Sequence, residues 1–209
     1  MSKDIYSKLI EPSIKDARKR RREEIKFSIF DLNPKYINFG LGKKYHLKTY
    51  GCQGNLSDSE KMAGILEAMG FERTEVETEA DFVLFNTCAI RENAEERVFG
   101  ELGRFQKFLK QKPDMIIGIC GCMPQEEKTI VKLKKSFPYV KVVFGTHNIA
   151  SLPEYVYDAF SGQKVIEVLS IEGNIVEHIP TKRDHFALHS NIKPLCCICE
   201  TNITLYFNF

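Results

Sequence analysis

The chain has 209 residues, room for one good-sized domain and appendages, and its 43% hydrophobic and 28% charged content is ordinary for a globular protein. A net charge of only +2 supplies no global basic field that would announce a nucleic-acid partner. There is no run of about eighteen apolar residues to span a membrane. The opening MSKDIYSKLIEPSIKDARKRRREE has no apolar stretch of signal-peptide length, so a cytoplasmic location is expected.

Residues 1–43 are polar and mixed in charge, and Arg18-Lys19-Arg20-Arg21-Arg22 reads as part of a solvated leader, helical or disordered, in preference to an arm that contacts RNA phosphates. Tyr45–Tyr50 alternates like a strand. Ser57-Asp58-Ser59-Glu60 has the form of a capping box, followed by Met62, Ile65, Leu66 and Met69 at helical spacing and by Gly70 where a left-handed cap would fall. Asp81–Asn86 is a second strand, and its helix runs from about Glu92 to Lys110 with Val98, Leu102, Phe105 and Leu109 on one face. Met115–Ile119 is a third strand, with Pro124 opening the next helix at a position where proline is tolerated. Val140–Phe144 is a fourth, followed by a helix from about Ile149 to Phe160 that Gly162 ends, and Val165–Leu169 adds a short last strand. Apolar strands alternating with amphipathic helices predict an α/β fold, a doubly wound three-layer sandwich around a mostly parallel sheet. It occupies residues 44–180, and 181–209 form a linker and an atypical tail.

Seven cysteines without an export signal favour metal or catalytic use over a disulfide framework. Cys52 follows the first strand, Cys88 the second and Cys122 the third, each just before the next helix. In a parallel sheet those turns share one edge, the edge beyond the carboxyl ends of the strands where ligands bind. Helix N-termini lower thiol pKa and favour the thiolate. Gly51, Gly54 and Gly121 flank the cysteines and let backbone approach closely. Soft thiolates select zinc, cuprous copper or iron–sulfur clusters. A structural zinc wants four protein ligands, whereas three cysteines align here, with His147 after the fourth strand open as a fourth ligand. Three thiolates suit a four-iron cluster that keeps one iron open. Cys120, two residues before Cys122, is expected to point into the fold. Glu92, Glu95 and Glu96 complement a helix dipole, and Arg91 and Arg97 are expected in solvent-facing ion pairs.

The same turns carry a resemblance. Thr49-Tyr50-Gly51-Cys52-Gln53-Gly54-Asn55 resembles the TYGCQMN motif that opens the N-terminal domain of radical S-adenosylmethionine methylthiotransferases. Asn86-Thr87-Cys88-Ala89-Ile90-Arg91-Glu92-Asn93-Ala94-Glu95-Glu96-Arg97-Val98-Phe99-Gly100 is similar to that family's second motif, and Gly121-Cys122-Met123-Pro124-Gln125 to its third. The RENAEERVFG portion looks like the branch that acts on isopentenyl-adenosine of tRNA, and the resemblance runs from Tyr45 to Phe186. It implies a flavodoxin-like fold and one four-iron four-sulfur cluster held by Cys52, Cys88 and Cys122, whose open iron holds the sulfur inserted at C2 of the adenosine. It also implies, in the full-length enzyme only, S-adenosylmethionine, a second cluster and a tRNA partner, with a sulfur donor and no membrane contact, and a monomer is expected. Gly54 departs from the motif, which has methionine there, and is expected to alter loop stiffness.

After Lys182-Arg183-Asp184-His185-Phe186 the family enters a radical domain with a Cys-x3-Cys-x2-Cys triplet. Here Cys196, Cys197 and Cys199 follow with different spacing, which reads as a frameshifted or truncated tail, and His189 beside them gives only a displaced-site alternative. The chain alone is therefore expected to lack methylthiotransferase activity. Two other classes stay open: a flavodoxin-like module binding a mononucleotide or another domain at the strand-end crevice, and a thiol-redox or zinc protein using Cys120 and Cys122. The first lacks a Gly-x-Gly-x-x-Gly run, and the second has a spacing tighter than Cys-x-x-Cys.

Overall fold

The computed structural model describes residues 26–89, 94–168 and 174–182. Arg18–Arg22, Ile90–Asn93, His189 and the tail cysteines Cys196, Cys197 and Cys199 lie outside them, and so do the expectations attached to those residues. In chain order the elements are β1 (Lys26–Ile29), β2 (Lys44–Tyr50), α1 (Gln53–Ala68), β3 (Glu72–Arg73), β4 (Phe82–Thr87), α2 (Ala94–Gln111), β5 (Ile116–Gly121), α3 (Glu127–Ser136), β6 (Val140–Gly145), α4 (Leu152–Phe160), β7 (Val165–Glu167) and β8 (Asn174–Glu177).

The main sheet has six parallel strands in the order β3-β2-β4-β5-β6-β7. Because β4 and β5 are buried on both sides, their sequences run apolar without alternation. Successive residues of β4 still serve different layers. Phe82 and Leu84 pack with Met62, Ile65 and Leu66 of α1 and Leu152 and Val156 of α4. Val83 and Phe85 pack with Val98, Leu102 and Phe105 of α2 and Leu133 of α3. The result is the doubly wound three-layer sandwich that the alternation of elements implies. Strand order reverses between β2 and β4, the flavodoxin-like switch point beside which open parallel sheets bind their ligands.

Local differences from the sequence reading have physical causes. The first helix starts at Gln53, capped by Cys52, so the Ser57–Glu60 box lies inside it. Asn55 takes the reciprocal capping position that Glu60 was expected to fill. Pro124 sits in a single 3-10 turn, Met123–Gln125, and α3 begins at Glu127. A longer 3-10 stretch, Thr146–Ser151, likewise precedes α4. Gly70 and Gly162 do close their helices at positive φ, +92° and +90°. Within the stretch set apart as a leader, β1 pairs in parallel with β8, and Tyr36 is buried against the core beneath α4. Among the described residues no helix is long and apolar enough to cross a membrane.

On the α2 face, Glu77 gathers three cations and anions of neighbouring elements into a half-buried network. Arg104 binds it through both guanidinium arms, Nη1 at 2.5 Å and Nη2 at 2.7 Å, and Lys48 pairs with it as well as with Glu101. The Arg104 and Lys48 hydrogen bonds, set against partial burial, hold the Glu77 carboxyl down at about 2. A folded-state pKa below the ordinary 4.5 means the stabilisation is complete above pH 4.5 and is lost as pH falls toward 2. Glu77→Gln is expected to cost about 1 kcal/mol at pH 7, after discounting for solvent screening. Thermal unfolding of both proteins at pH 7 and pH 2 should show that difference shrinking at acid pH, and a constant gap would assign the effect to packing.

Candidate functional site

The pairing register brings the cysteine turns to one edge. Tyr50 of β2 lies opposite Thr87 of β4, which lies opposite Gly121 of β5. Cys88 and Cys122 each follow the last residue of their strand, and Cys52 stands two residues beyond Tyr50. The turns are then stitched by backbone: Cys88 N–H donates to the Tyr50 carbonyl (3.0 Å) and Cys122 N–H to the Thr87 carbonyl (2.9 Å).

A buried polar network lies directly beneath. Asn55 Nδ2 donates to Asn86 Oδ1 (2.9 Å) and to the Thr87 carbonyl (3.2 Å). Asn86 Nδ2 donates in return to the Asn55 carbonyl (2.7 Å) and to Ser59 Oγ (2.9 Å), which is itself 2.7 Å from Thr49 Oγ1. Thr87 Oγ1 donates to the Cys120 carbonyl (2.8 Å). Asn86 and Thr87 are wholly buried, so each of these bonds replaces hydration that burial removed. Gly121 is dictated by the same crowding. At φ +100° its missing side chain would meet the Thr87 carbonyl and Asn86 Oδ1.

Cys52 is half-buried and caps α1, with Asn55 Oδ1 accepting from its N–H (3.1 Å) and its thiol (3.3 Å). Partial burial pushes its thiol pKa up, but backbone hydrogen bonds from Asn55, Gly54 and Cys52 itself, with one from the Cys88 thiol, bring it below the ordinary value. Backbone bonds join the three turns, Cys88 N–H to the Tyr50 carbonyl ahead of Cys52 and Cys122 N–H to the Thr87 carbonyl ahead of Cys88. Among the described residues no three His, Cys, Asp or Glu side chains stand grouped to hold a single metal ion. His147 is exposed in the turn after β6, where its charge acts on Asp58. Burial pushes the Asp58 carboxyl up against the opposing pull of Lys61 and His147. Gly54 lies in the first turn of α1, where a side chain would rest in ordinary contact with Cys52 Sγ (3.5 Å).

Cys120 points the other way, into the α1 layer, with its Sγ 3.5 Å from Met62 Sδ. Complete burial drives its thiol pKa well up, which counts against Cys120 itself as a nucleophile. The sequence reading quoted Asn55 and Asn86 only as motif letters and missed their part in the site. The available signal was an asparagine closing an otherwise apolar strand, a buried amide that must find partners.

The tRNA-2-methylthio-N(6)-dimethylallyladenosine synthase of Bacillus pumilus (strain SAFR-032) is 47% identical over 175 residues, 83% of this chain and 34% of that protein. The like-named protein of Bacillus cereus (strain AH187) is 50% identical over 185 residues, and that of Staphylococcus saprophyticus 49% over 186, covering 85% and 86% of this chain. The chain belongs to this methylthiotransferase family. Within it, residues 44–145 match the model described as "Uncharacterized protein family UPF0004", a span that contains Cys52, Cys88 and Cys122. The chain covers 36% of the length of the Bacillus cereus and Staphylococcus saprophyticus members, corresponding to their N-terminal region. These relatives are enzymes by name.

Two outcomes are expected. Asn86→Ala removes one of the two acceptors of Asn55 Nδ2 and the donor to the Asn55 carbonyl and Ser59 Oγ, so denaturant unfolding should show a loss of about 2–4 kcal/mol. Iodoacetamide at pH 7.5, followed by peptide mass mapping, should label Cys52 at least about 100-fold faster than Cys120, in line with thiolate character and access. Equal rates would contradict both the burial of Cys120 and the electrostatics at Cys52.

Proposed function

We propose that this chain is the cluster-bearing portion of a tRNA methylthiotransferase, with Cys52, Cys88 and Cys122 holding one four-iron four-sulfur cluster. The observation that carries the reading is the register. Three neighbouring parallel strands end level with one another, and each end delivers a cysteine to the crevice edge beside the switch point. The donor set fits the group. Thiolates around a four-iron cluster bind separate irons, so they need not converge on one point as zinc ligands do. Cys52 is already biased toward thiolate by the N–H groups of α1. Asn55 and Asn86 hold the turns of Cys52 and Cys88 in place, and Thr87 does the same for Cys122 through its carbonyl. When bound, the cluster supplies an open iron able to carry sulfur.

By its family the substrate is N6-isopentenyl-adenosine of tRNA, to which a 2-methylthio group is added, with S-adenosylmethionine and a second cluster supplied by parts of the enzyme beyond the described residues. Residues 44–180 form the cluster-binding domain in this reading. Anaerobic reconstitution with iron and sulfide should load about four irons on the wild type and give a brown chromophore. Cys52→Ala, Cys88→Ala and Cys122→Ala should each lower iron content, the triple variant should abolish it, and Cys120→Ala should leave it unchanged. A folded wild type that stays colourless would sink the cluster assignment and favour the strand-end binding module.

A further inference from the structure

The fourth strand end carries no cysteine, yet it is built against the turn of Cys122. Gly145 closes β6 opposite Gly121, so the β6 turn lies beside that of Cys122. The backbone of Gly145, at φ −85° and ψ 168°, is extended and open to any residue. What a side chain there would meet is Gln125, 3.2 Å away at Nε2 and 3.6 Å at Cγ. Gln125 is half-buried in the 3-10 turn after Cys122, where its N–H donates to the Cys122 carbonyl (3.1 Å). Its carboxamide crosses to the β6 turn, and Nε2 donates to Thr146 Oγ1 (3.4 Å). A second observation points to the same carboxamide. Asn148 is only 7% exposed, and its Nδ2 donates to the Tyr155 hydroxyl (3.4 Å), while its Oδ1 is buried without a partner. That oxygen stands 3.6 Å from the place a Gly145 side chain would take, the place that Gln125 Nε2 also flanks.

A carboxamide nitrogen carries two N–H groups, and a buried acceptor without a donor is costly. Thr146 takes one N–H of Gln125, which leaves the other for the acceptor across the bare glycine. We propose that Gln125 is a positioning residue for Cys122: its carboxamide, shared between Thr146 and Asn148 over Gly145, clasps the Cys122 turn to the end of β6. On its other side the same turn is held by Cys122 N–H on the Thr87 carbonyl (2.9 Å), so the cysteine is fixed from both neighbouring strands. That a fixed Cys122 serves a cluster rests on the reading above. The clasp itself does not.

Cys122 is buried, so its access to a reagent reports how firmly its turn is held. Initial rates of alkylation at Cys52, Cys88 and Cys122 would be measured on the full, metal-free chain by iodoacetamide labelling and peptide mass mapping. Gln125→Met keeps the length and apolar bulk of the side chain but has no N–H to give. It should speed labelling of Cys122 at least about fivefold and change Cys52 and Cys88 less than about twofold. Thr146→Val should also speed Cys122, whereas Thr146→Ser, which keeps the hydroxyl, should leave it at the wild-type rate. The double variant Gln125→Met/Thr146→Val should go no further than Gln125→Met alone, because both changes remove one contact. Gly145→Val displaces Gln125 by volume and should match Gln125→Met. Circular dichroism melts check that the variants stay folded, and Gln125→Met decides the matter if Gly145→Val does not fold. An unchanged Cys122 rate in folded Gln125→Met, additive effects in the double variant, or a parallel rise at Cys52 and Cys88 would overturn the proposal. Iron takes no part in this measurement, so a failure to load a cluster in the separate reconstitution leaves its result unaffected.

Discussion

The reciprocal pair of carboxamides, Asn55 on α1 and Asn86 on β4, is the contact around which the cysteine edge is built. Each amide donates to the other residue, one to a side-chain oxygen and one to a backbone carbonyl, and both are nearly inaccessible to water. In a low-dielectric interior such a pair is strong when complete and costly when broken, so it tolerates little displacement of either element. Because Asn55 also caps Cys52, while Asn86 precedes Thr87 and Cys88, small shifts in this pair would move all three cysteine turns together. The close approach that it enforces also accounts for glycine at position 121, where any side chain would collide with the network.

Two thiols of the same chain show how placement decides chemistry. Cys52 and Cys120 both lie near strand ends, yet one thiol is eased toward its anion and the other is held firmly protonated. The difference comes from what surrounds each sulfur. Cys52 faces the N–H groups that open a helix, whereas Cys120 faces Met62 in the apolar layer beneath that helix. Cys122 is buried as well, and Gly121 at φ +100° bends the backbone between it and Cys120.

Helix α1 serves both the edge and the residues that follow β8. Its first turn presents Cys52 and Asn55, its middle supplies Ser59 to the network, and its outer face at Glu60, Gly64 and Glu67 receives residues 178–182. The helix thus ties the cysteine edge to residues 178–182, through Lys182 N–H on the Glu60 carbonyl and through the Lys182–Glu67 ion pair. On the opposite layer, the Lys48, Glu77, Glu101 and Arg104 network joins β2 to α2 and fixes the other side of the same strand.

The alternation of the central strands and helices, the parallel sheet and the placing of the Cys52, Cys88 and Cys122 turns at one edge were legible in the sequence. They follow from periodicity and from the rule that strand-to-helix turns of a parallel sheet share a side. Gly70 and Gly162 could be read as helix ends because a left-handed cap has few residues that suit it. The start of α1 at Gln53 was not legible, since Ser57-Asp58-Ser59-Glu60 offers the stronger local signal and Asn55 prevails only through partners on β4. Nor could β3 be foreseen, a two-residue charged edge strand made by its pairing with β2 rather than by any preference of Glu72 and Arg73. The parallel pairing of β1 with β8 and the seat of Pro180 on Gly64 join residues more than a hundred positions apart. Local sequence determines periodicity and turn chemistry within a few residues. Contacts across the chain depend on which surfaces the packed layers bring within hydrogen-bonding distance, and only the tertiary structure decided those.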